Sequence, residues 1–279
     1  RPSYIEYLHA RLLKRTPESL NYWRKLLGGS CPTSLRMKPE PVIPPSPEVP
    51  IKEHTVSRII SPPQPKAHGP KTTTSTAVQS AWTMVLSALS NKTDTLSMYM
   101  IHGRDEAIPS SDQIIGCCVS ECPLRVQYTD SMACADLIQL VQNQMIASAT
   151  HGHVGHDTIV DECTDWALKS DVYQQSSFVQ HQTVRVRENL TVGDIGYVDV
   201  GDPVIERNLR SDFAVLTHST GGGGLAVRIR CRGDLYGSDE AEAVADAFVV
   251  AVKEVLVGEE SLGNLRRRLK DVASLPCMV

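Results

Sequence analysis

Apolar residues recur at helical spacing from the start of the chain. Ile5, Leu8, Leu12 and Leu13 form a stripe that predicts a helix over Ser3–Lys14. Thr16-Pro17-Glu18 restarts a helix, with Thr16 as cap and Pro17 in the first turn, where no N–H is needed. Tyr22, Trp23, Leu26 and Leu27 make its apolar face, and Gly28-Gly29 ends it. Val78, Ala81, Trp82, Val85 and Leu89 predict a third helix over Thr74–Leu89. Leu96–Ile101 is a strand-length apolar run that ends in the turn His102-Gly103-Arg104-Asp105. Ile114–Tyr128 reads as a long, mostly buried strand bent at Pro123. Cys134, Leu137, Ile138, Val141 and Met145 give an amphipathic helix.

The second half opens with strand patterns. Ser177–Val186 alternates in part, through Phe178, Val179, Val184 and Val186. Phe213–Ser219 and Leu225–Arg232 read as a hairpin around Gly221–Gly224; Val227 and Ile229 alternate with Arg228 and Arg230, so one face is wet. Glu240–Val257 is a helix with Ala243, Val244, Phe248, Ala251, Val252 and Val255 on one side. Eleven prolines between Pro32 and Pro70 remove backbone donors and fix φ, which leaves only Thr55–Ile60 as a strand there. Arg266, Arg267, Arg268 and Lys270 lie in a stretch of little periodicity, so residues 263–279 read as a basic tail or linker. There is no internal repeat. The class is mixed α/β, with helices covering a sheet.

Composition narrows the function. The chain has 279 residues, 41% of them hydrophobic, which suffices for one large or two small domains. Lys plus Arg is 28 against 32 for Asp plus Glu, so nothing in the bulk charge of −4 favours nucleic acid or an anionic membrane. No run approaches the length of a membrane span. Eight cysteines without a Cys-x-x-Cys pair read as reduced, mostly buried thiols of a cytoplasmic protein. Arg1-Pro2-Ser3-Tyr4 carries no initiator Met and no apolar signal core, and reads as the interior of a longer chain.

Four clusters invite a chemical reading. His151, His153 and His156 form His-x-His-x-Gly-His, two and five residues apart, which could converge on zinc. Gly155 stands where the comparable metallohydrolase pattern has an Asp, and no further ligands follow; a polar loop that holds three histidines is the plainer reading. Gly221–Gly224 could cradle a phosphate, but an alternating strand follows where a phosphate loop needs a helix, so a hairpin turn is favoured. Ser110, Ser111 and Asp112 with His102 could make a hydrolase triad, yet no Gly-x-Ser-x-Gly elbow holds the serine. Arg266–Arg268 could meet anions, or simply lie in solvent. None of these makes a convincing catalytic or metal centre.

The order of the pieces resembles the C-terminal lobe of a condensation domain of nonribosomal peptide synthetases, especially the fungal kind. Ser3-Tyr4-Ile5-Glu6-Tyr7 stands in the place of the family's Tyr-x-Asp-Phe/Tyr-Ala segment, and Tyr22–Gly28 looks like its Trp-x-x-x-Leu-x-Gly helix end. Thr72–Leu89 looks like the Thr-rich helix that follows. Gly103-Arg104-Asp105 precedes Ile115-Gly116-Cys117-Cys118-Val119-Ser120-Glu121-Cys122-Pro123-Leu124-Arg125, where the family has Ile/Val-Gly-x-Phe-Val-Asn-Thr-x-x-x-Arg. Gly116, Val119 and Arg125 match, while Cys118, Ser120 and Glu121 depart from it. His153-Val154-Gly155 with Ile159, Cys163–Trp166 and Val179–Gln182 resemble fungal wording. The likeness spans about residues 3–262, and it assigns His151–His156 to a loop that holds no metal.

This resemblance implies a chloramphenicol-acetyltransferase-like lobe over 1–262, with a Pro-rich surface segment at 32–70. The lobe would form one wall of a tunnel where a carrier-tethered acyl donor joins an amine or alcohol acceptor. The implied partners are the N-terminal lobe and the carrier domains with their phosphopantetheine arm; neither nucleic acid nor membrane is among them. The family's catalytic His-His-x-x-x-Asp-Gly, whose second His does general-base work, is absent from this sequence, so the chain alone is expected to be inactive. The resemblance makes Ser120, in the place of an Asn beside the channel, a tunnel candidate, with His181 and Gln182 on a neighbouring strand. Gly103, Arg104, Gly116 and Arg125 are expected to be structural. Two other readings stand beside this one: a non-catalytic condensation-like module that docks carrier or neighbouring domains, and a stand-alone acyltransferase, which would need the absent motif. Condensation, terminal cyclisation and epimerisation all remain open as reaction type.

Overall fold

Ser3 starts α1 (Tyr4–Leu13) through a reciprocal cap: its Oγ accepts from the Glu6 backbone N–H at 3.1 Å, and its own N–H donates to Glu6 Oε2 at 2.7 Å. Thr16 Oγ1 accepts from the Ser19 N–H and starts α2 (Pro17–Leu27), as the Thr-Pro-Glu signature predicts. The computed structural model describes residues 3–35, 52–61, 72–104, 110–166, 177–182, 189–191, 197–199, 211–220 and 223–273. Most of the Pro-rich segment, Asp105, Val184, Val186, Gly221 and Gly222 lie outside the described residues.

The strands are β1 (Glu53–Ile60), β2 (Asp94–Ile101), β3 (Ser120–Gln127), β4 (Ser177–Gln182), β5 (Asn189–Thr191), β6 (Tyr197–Asp199), β7 (Phe213–Ser219) and β8 (Leu225–Arg232). Among the described residues β5 and β6 pair as a ribbon, and the others form one sheet in the order β1-β8-β7-β4-β2-β3. Strands β2, β4 and β7 run parallel, while β3, β8 and β1 pair antiparallel with their neighbours. Cys122, Tyr99, Val179, Val215, Ile229 and Val56 share one level across the sheet and point to one face. All six are buried, beneath the helices.

Helix α3 (Thr74–Ser90) lies on that face, and Thr76–Ser90 is buried on every side. It touches β2 and β4 below, and α4 (Cys134–His151), α6 (Ser238–Val257) and α7 (Leu262–Ala273) around it. Trp82 fills the centre, its Nε1 donating to Ser177 Oγ at 2.6 Å and its ring lying between Phe213 and Phe248. A short helix, α5 (His156–Cys163), packs against α2.

Three expectations change. The strand proposed from Ile114 begins only at Ser120, and residues 114–119 form a loop held by side-chain bonds described below. Pro123 sits inside β3 without a register break, because β3 is the sheet's edge and a missing N–H is tolerated there. Residues 262–273 are a helix rather than an open tail: Leu262, Leu265, Leu269 and Ala273 are buried, a stripe that the intervening arginines obscure. Arg266 pairs with Asp130 at 2.8 Å and Arg268 with Glu254 at 2.7 Å. Leu265→Ala is therefore expected to lower unfolding stability by about 2–4 kcal/mol in a urea titration; a solvated tail would give no change.

The described cysteines are free, with Cys31 and Cys117 exposed and the other five buried. Burial pushes the Cys122, Cys134 and Cys231 thiols up to about 12. Among the described residues no helix is long and apolar enough to cross a membrane.

Candidate functional site

The parallel strands β2, β4 and β7 all end on one side of the sheet, at Ile101, Gln182 and Ser219. Crevices outside such carboxyl ends are where open α/β sheets place ligands. Strand β3 begins at the same edge, with Ser120 opposite Ile101. Continuing the register Tyr99↔Val179 by two residues brings Ile101 level with His181, which pairs with Thr217. Ser120, Ile101, His181 and Thr217 thus form one row on the helix-covered face. Ser120 and His181 stand two strands apart, about 10 Å. Gln182 lies at the same edge but points to the opposite face, beside His218.

Helix α1 builds the Ser120 corner. Tyr4, Tyr7 and Arg11 share the face that meets the sheet edge. Tyr7 Oη lies 2.9 Å from both the Gly103 and Cys118 carbonyls, and burial pushes its phenol up. Tyr4 Oη donates to the Cys117 carbonyl at 2.7 Å. Arg11 Nη2 donates to Ser120 Oγ at 2.5 Å and to the Gly152 carbonyl at 3.4 Å. Arg104 closes the loop from the other side, donating to the carbonyls of Ser111 and Ile114 at 2.8 Å and of Gly116 at 3.1 Å. Gly116 leaves room for the Tyr4 ring, which a Cβ there would meet at 2.4 Å. Gly103, Arg104 and Gly116 therefore shape the loops beside Ser120, Arg104 through backbone carbonyls.

Sequence periodicity selected the wrong side of α1. Ile5 and Leu12 are 78% and 68% exposed, and Leu8 and Leu13 are also exposed. The inward face is Tyr4-x-x-Tyr7-x-x-x-Arg11, whose spacing is equally helical but whose polar atoms hide it from a hydrophobic pattern. Ile115 and Val119 lie exposed on the loop that Tyr4 and Tyr7 clamp.

Arg125 lies toward the other end of β3. Its guanidinium grips Asp94 through two bonds of 3.0 and 2.7 Å and donates to the carbonyls of Leu26 and Gly28, so it ties the end of α2 to the sheet.

His181 Nδ1 lies 2.9 Å from Thr217 Oγ1, and that hydroxyl donates to the Gln180 carbonyl at 3.2 Å. With its proton so used, Thr217 accepts from His181, which places the imidazole proton on Nδ1. Burial, and then the neighbouring His218, hold the His181 pKa below the ordinary value. The unfolded chain therefore binds a proton that the folded chain resists. Stability is expected to fall as pH drops through the unfolded value near 6.5, and the slope to level off below the folded pKa. In His181→Gln that slope should shrink between pH 7.5 and 5.5; an unchanged slope would assign it elsewhere.

The other clusters have structural partners. His151 ends α4, stacks on Tyr22 with ring centroids 4.4 Å apart and places Nδ1 3.0 Å from Ser19 Oγ. His156 begins α5, with Nδ1 3.3 Å from Asp157. The three histidines thus span a helix–turn–helix junction rather than a plain loop. Among the described residues no group of His, Cys, Asp and Glu is placed to hold a metal ion. His102 Nδ1 accepts the Arg104 backbone N–H at 2.9 Å, which puts a neutral ring's proton on Nε2, where a triad base needs a lone pair. Gly223 and Gly224 lie in the β7–β8 hairpin turn, closed by Thr220.

A sequence model of the family described as "Condensation domain" matches residues 2–262. The chain is 31% identical over 223 residues to Nonribosomal peptide synthetase 4 of Gibberella zeae, covering 77% of this chain and 3% of that protein. It is 26% identical over 281 residues to Nonribosomal peptide synthetase 1 of Aspergillus fumigatus, covering 99% of this chain and 4% of the relative. The crystal structure of holo T3CT superposes with a TM-score of 0.71 at 19% identity, over 94% of this chain and 57% of that one. The starter condensation domain of rhizomide synthetase gives 0.63 at 14% identity, over 90% and 54%. The chain is thus a small part of the synthetases it matches and little more than half of these solved chains. The mixed sheet covered by helices is the chloramphenicol-acetyltransferase-like fold that the resemblance implied.

Proposed function

The chain belongs to the condensation-domain family, and from that premise we propose that it is the C-terminal half of such a domain in a nonribosomal peptide synthetase. It lines one wall of the channel in which a carrier-tethered acyl donor meets an amine or alcohol acceptor. The phosphopantetheine arm enters as substrate, brought by carrier domains. The general-base histidine belongs to the other half, since His-His-x-x-x-Asp-Gly does not occur in these 279 residues.

The observation that carries this reading is the position of Ser120. It occupies the place of an Asn that the resemblance puts beside the channel. It stands at the carboxyl-end edge of the parallel strands, in one row with His181. In that row the Ser120 hydroxyl, which accepts from Arg11, keeps an O–H to donate to a substrate. The exposed apolar stripe Ile5, Leu8 and Leu12 on α1, with Ile115 and Val119 beside it, supports a second body packing at this edge.

Mixed with a loaded donor carrier and an acceptor, the chain alone is expected to form no amide or ester by mass spectrometry. Fused behind an N-terminal half that carries His-His-x-x-x-Asp-Gly, it is expected to form product. Product from the chain alone would overturn the reading.

A further inference from the structure

Arg11 is half-buried, and among the described residues its guanidinium is held by neutral groups only. Ser120 Oγ lies at 2.5 Å, the Gly152 carbonyl at 3.4 Å and Tyr7 Oη at 3.5 Å, and the Tyr7 ring lies beneath it at 5.7 Å. Among the described residues no carboxylate pairs with it. Glu121 follows Ser120 in β3, but strand alternation turns it to the opposite face. A guanidinium drawn partly out of water without an anion is an unfavourable arrangement for stability alone. Anchors on α1, on β3 and at the end of α4 hold this one in place, with N–H donors of its fork left over. Ser120 accepts from Arg11, so its own O–H remains to donate to the same visitor.

We propose that Arg11, with Ser120, is a specificity-determining residue that binds one carboxylate on the substrate entering at this edge. The inference rests on the channel reading above. A single fixed guanidinium matches the charge and planar fork of a carboxylate. A phosphate ester carries more charge and calls for further cations. Arg15, one turn on, is already paired with Glu162, and Lys14 lines a separate cleft with Thr16, Ser19 and His151.

The test titrates the chain with N-acetylglycine and with its uncharged amide, read by NMR or tryptophan fluorescence. The acid is expected to bind about tenfold more tightly than the amide, with the preference shrinking at high salt. Arg11→Gln is expected to abolish the preference, Arg11→Lys to keep part of it and Ser120→Ala to weaken it. Arg11→Lys and Ser120→Ala carry the test where Arg11→Gln fails to fold. Equal binding of acid and amide, or a preference that survives Arg11→Gln, overturns the proposal. Inorganic phosphate that binds more tightly than the acid through Arg11 overturns the carboxylate assignment. In the fused two-half protein, turnover indifferent to an acceptor carboxylate sinks this inference and leaves the channel reading. Carboxylate preference in a fusion without turnover does the reverse.

Discussion

Gly103→Ala is expected to lower unfolding stability by about 3 kcal/mol or more, and to release the loops around Ser120 first. Gly103 holds φ +63°, a conformation that costs an L side chain about 1–2 kcal/mol before any contact is counted. Its Cβ would then lie 1.8 Å from the Cys118 carbonyl oxygen and 2.8 Å from Tyr7 Oη. The first of these is backbone, so no rotamer relieves it. The Tyr7 bonds to Gly103 and Cys118 would break together. Gly155→Ala is the control. Its φ is +87°, but nothing lies within 4 Å of the added carbon, so only the backbone component remains. Urea denaturation of both variants should give a much larger shift for Gly103; similar shifts would mean that the close approach is not the cause.

Arg125→Met is expected to cost about 2–3 kcal/mol, at or below the roughly 3–5 kcal/mol of a fully buried pair. The Arg125 side chain is 10% exposed and Asp94 42%, so solvent screens part of the charge interaction. The carbonyls of Leu26 and Gly28 lose their donor as well. The pair also leaves a mark in acid. Burial pushes the Asp94 carboxyl up, but hydrogen bonds from Arg125 and Gln127 and the Arg125 charge more than offset it, holding it below the usual range. Its contribution is present above the unfolded value near 3.9 and is lost as pH falls through the lower folded value. Arg125→Met should flatten that part of the acid unfolding curve. If Asp94→Asn and Arg125→Met add without coupling, the pair is not a working contact.

These two residues also show how much could be read in advance. Gly103 and Arg125 stand out in the sequence as motif positions, and their structural roles follow from residue type: one lacks a side chain, the other carries a planar fork. Their partners do not follow. Cys118 is 15 positions from Gly103 and Asp94 is 31 from Arg125. Nothing local says that these positions meet.

Local physics made much of the other secondary structure legible, although α5 and the β5–β6 ribbon carry no pattern that predicts them. Thr16-Pro17, the buried stripe of α3 and the β7–β8 hairpin are settled by caps, periodicity and turns within a few residues. They appear where the sequence predicts them. Residues 263–273 escaped because arginines surround a sparse apolar stripe, and periodicity cannot say whether such a stripe finds a core to cover.

The sequence by itself determined the family, through the order of its motifs, and most of the elements. The tertiary structure alone decided which face of α1 turns inward. Two stripes of equal period compete there. Tyr4, Tyr7 and Arg11 prevail because distant loops offer them carbonyl and hydroxyl acceptors. It also decided that Ser120 and His181 share a row while Gln182 does not. Strand register is fixed by pairings such as Ile101 with Ser120 and Tyr99 with Val179, between segments distant in the chain, and a shift of one residue would exchange the two faces.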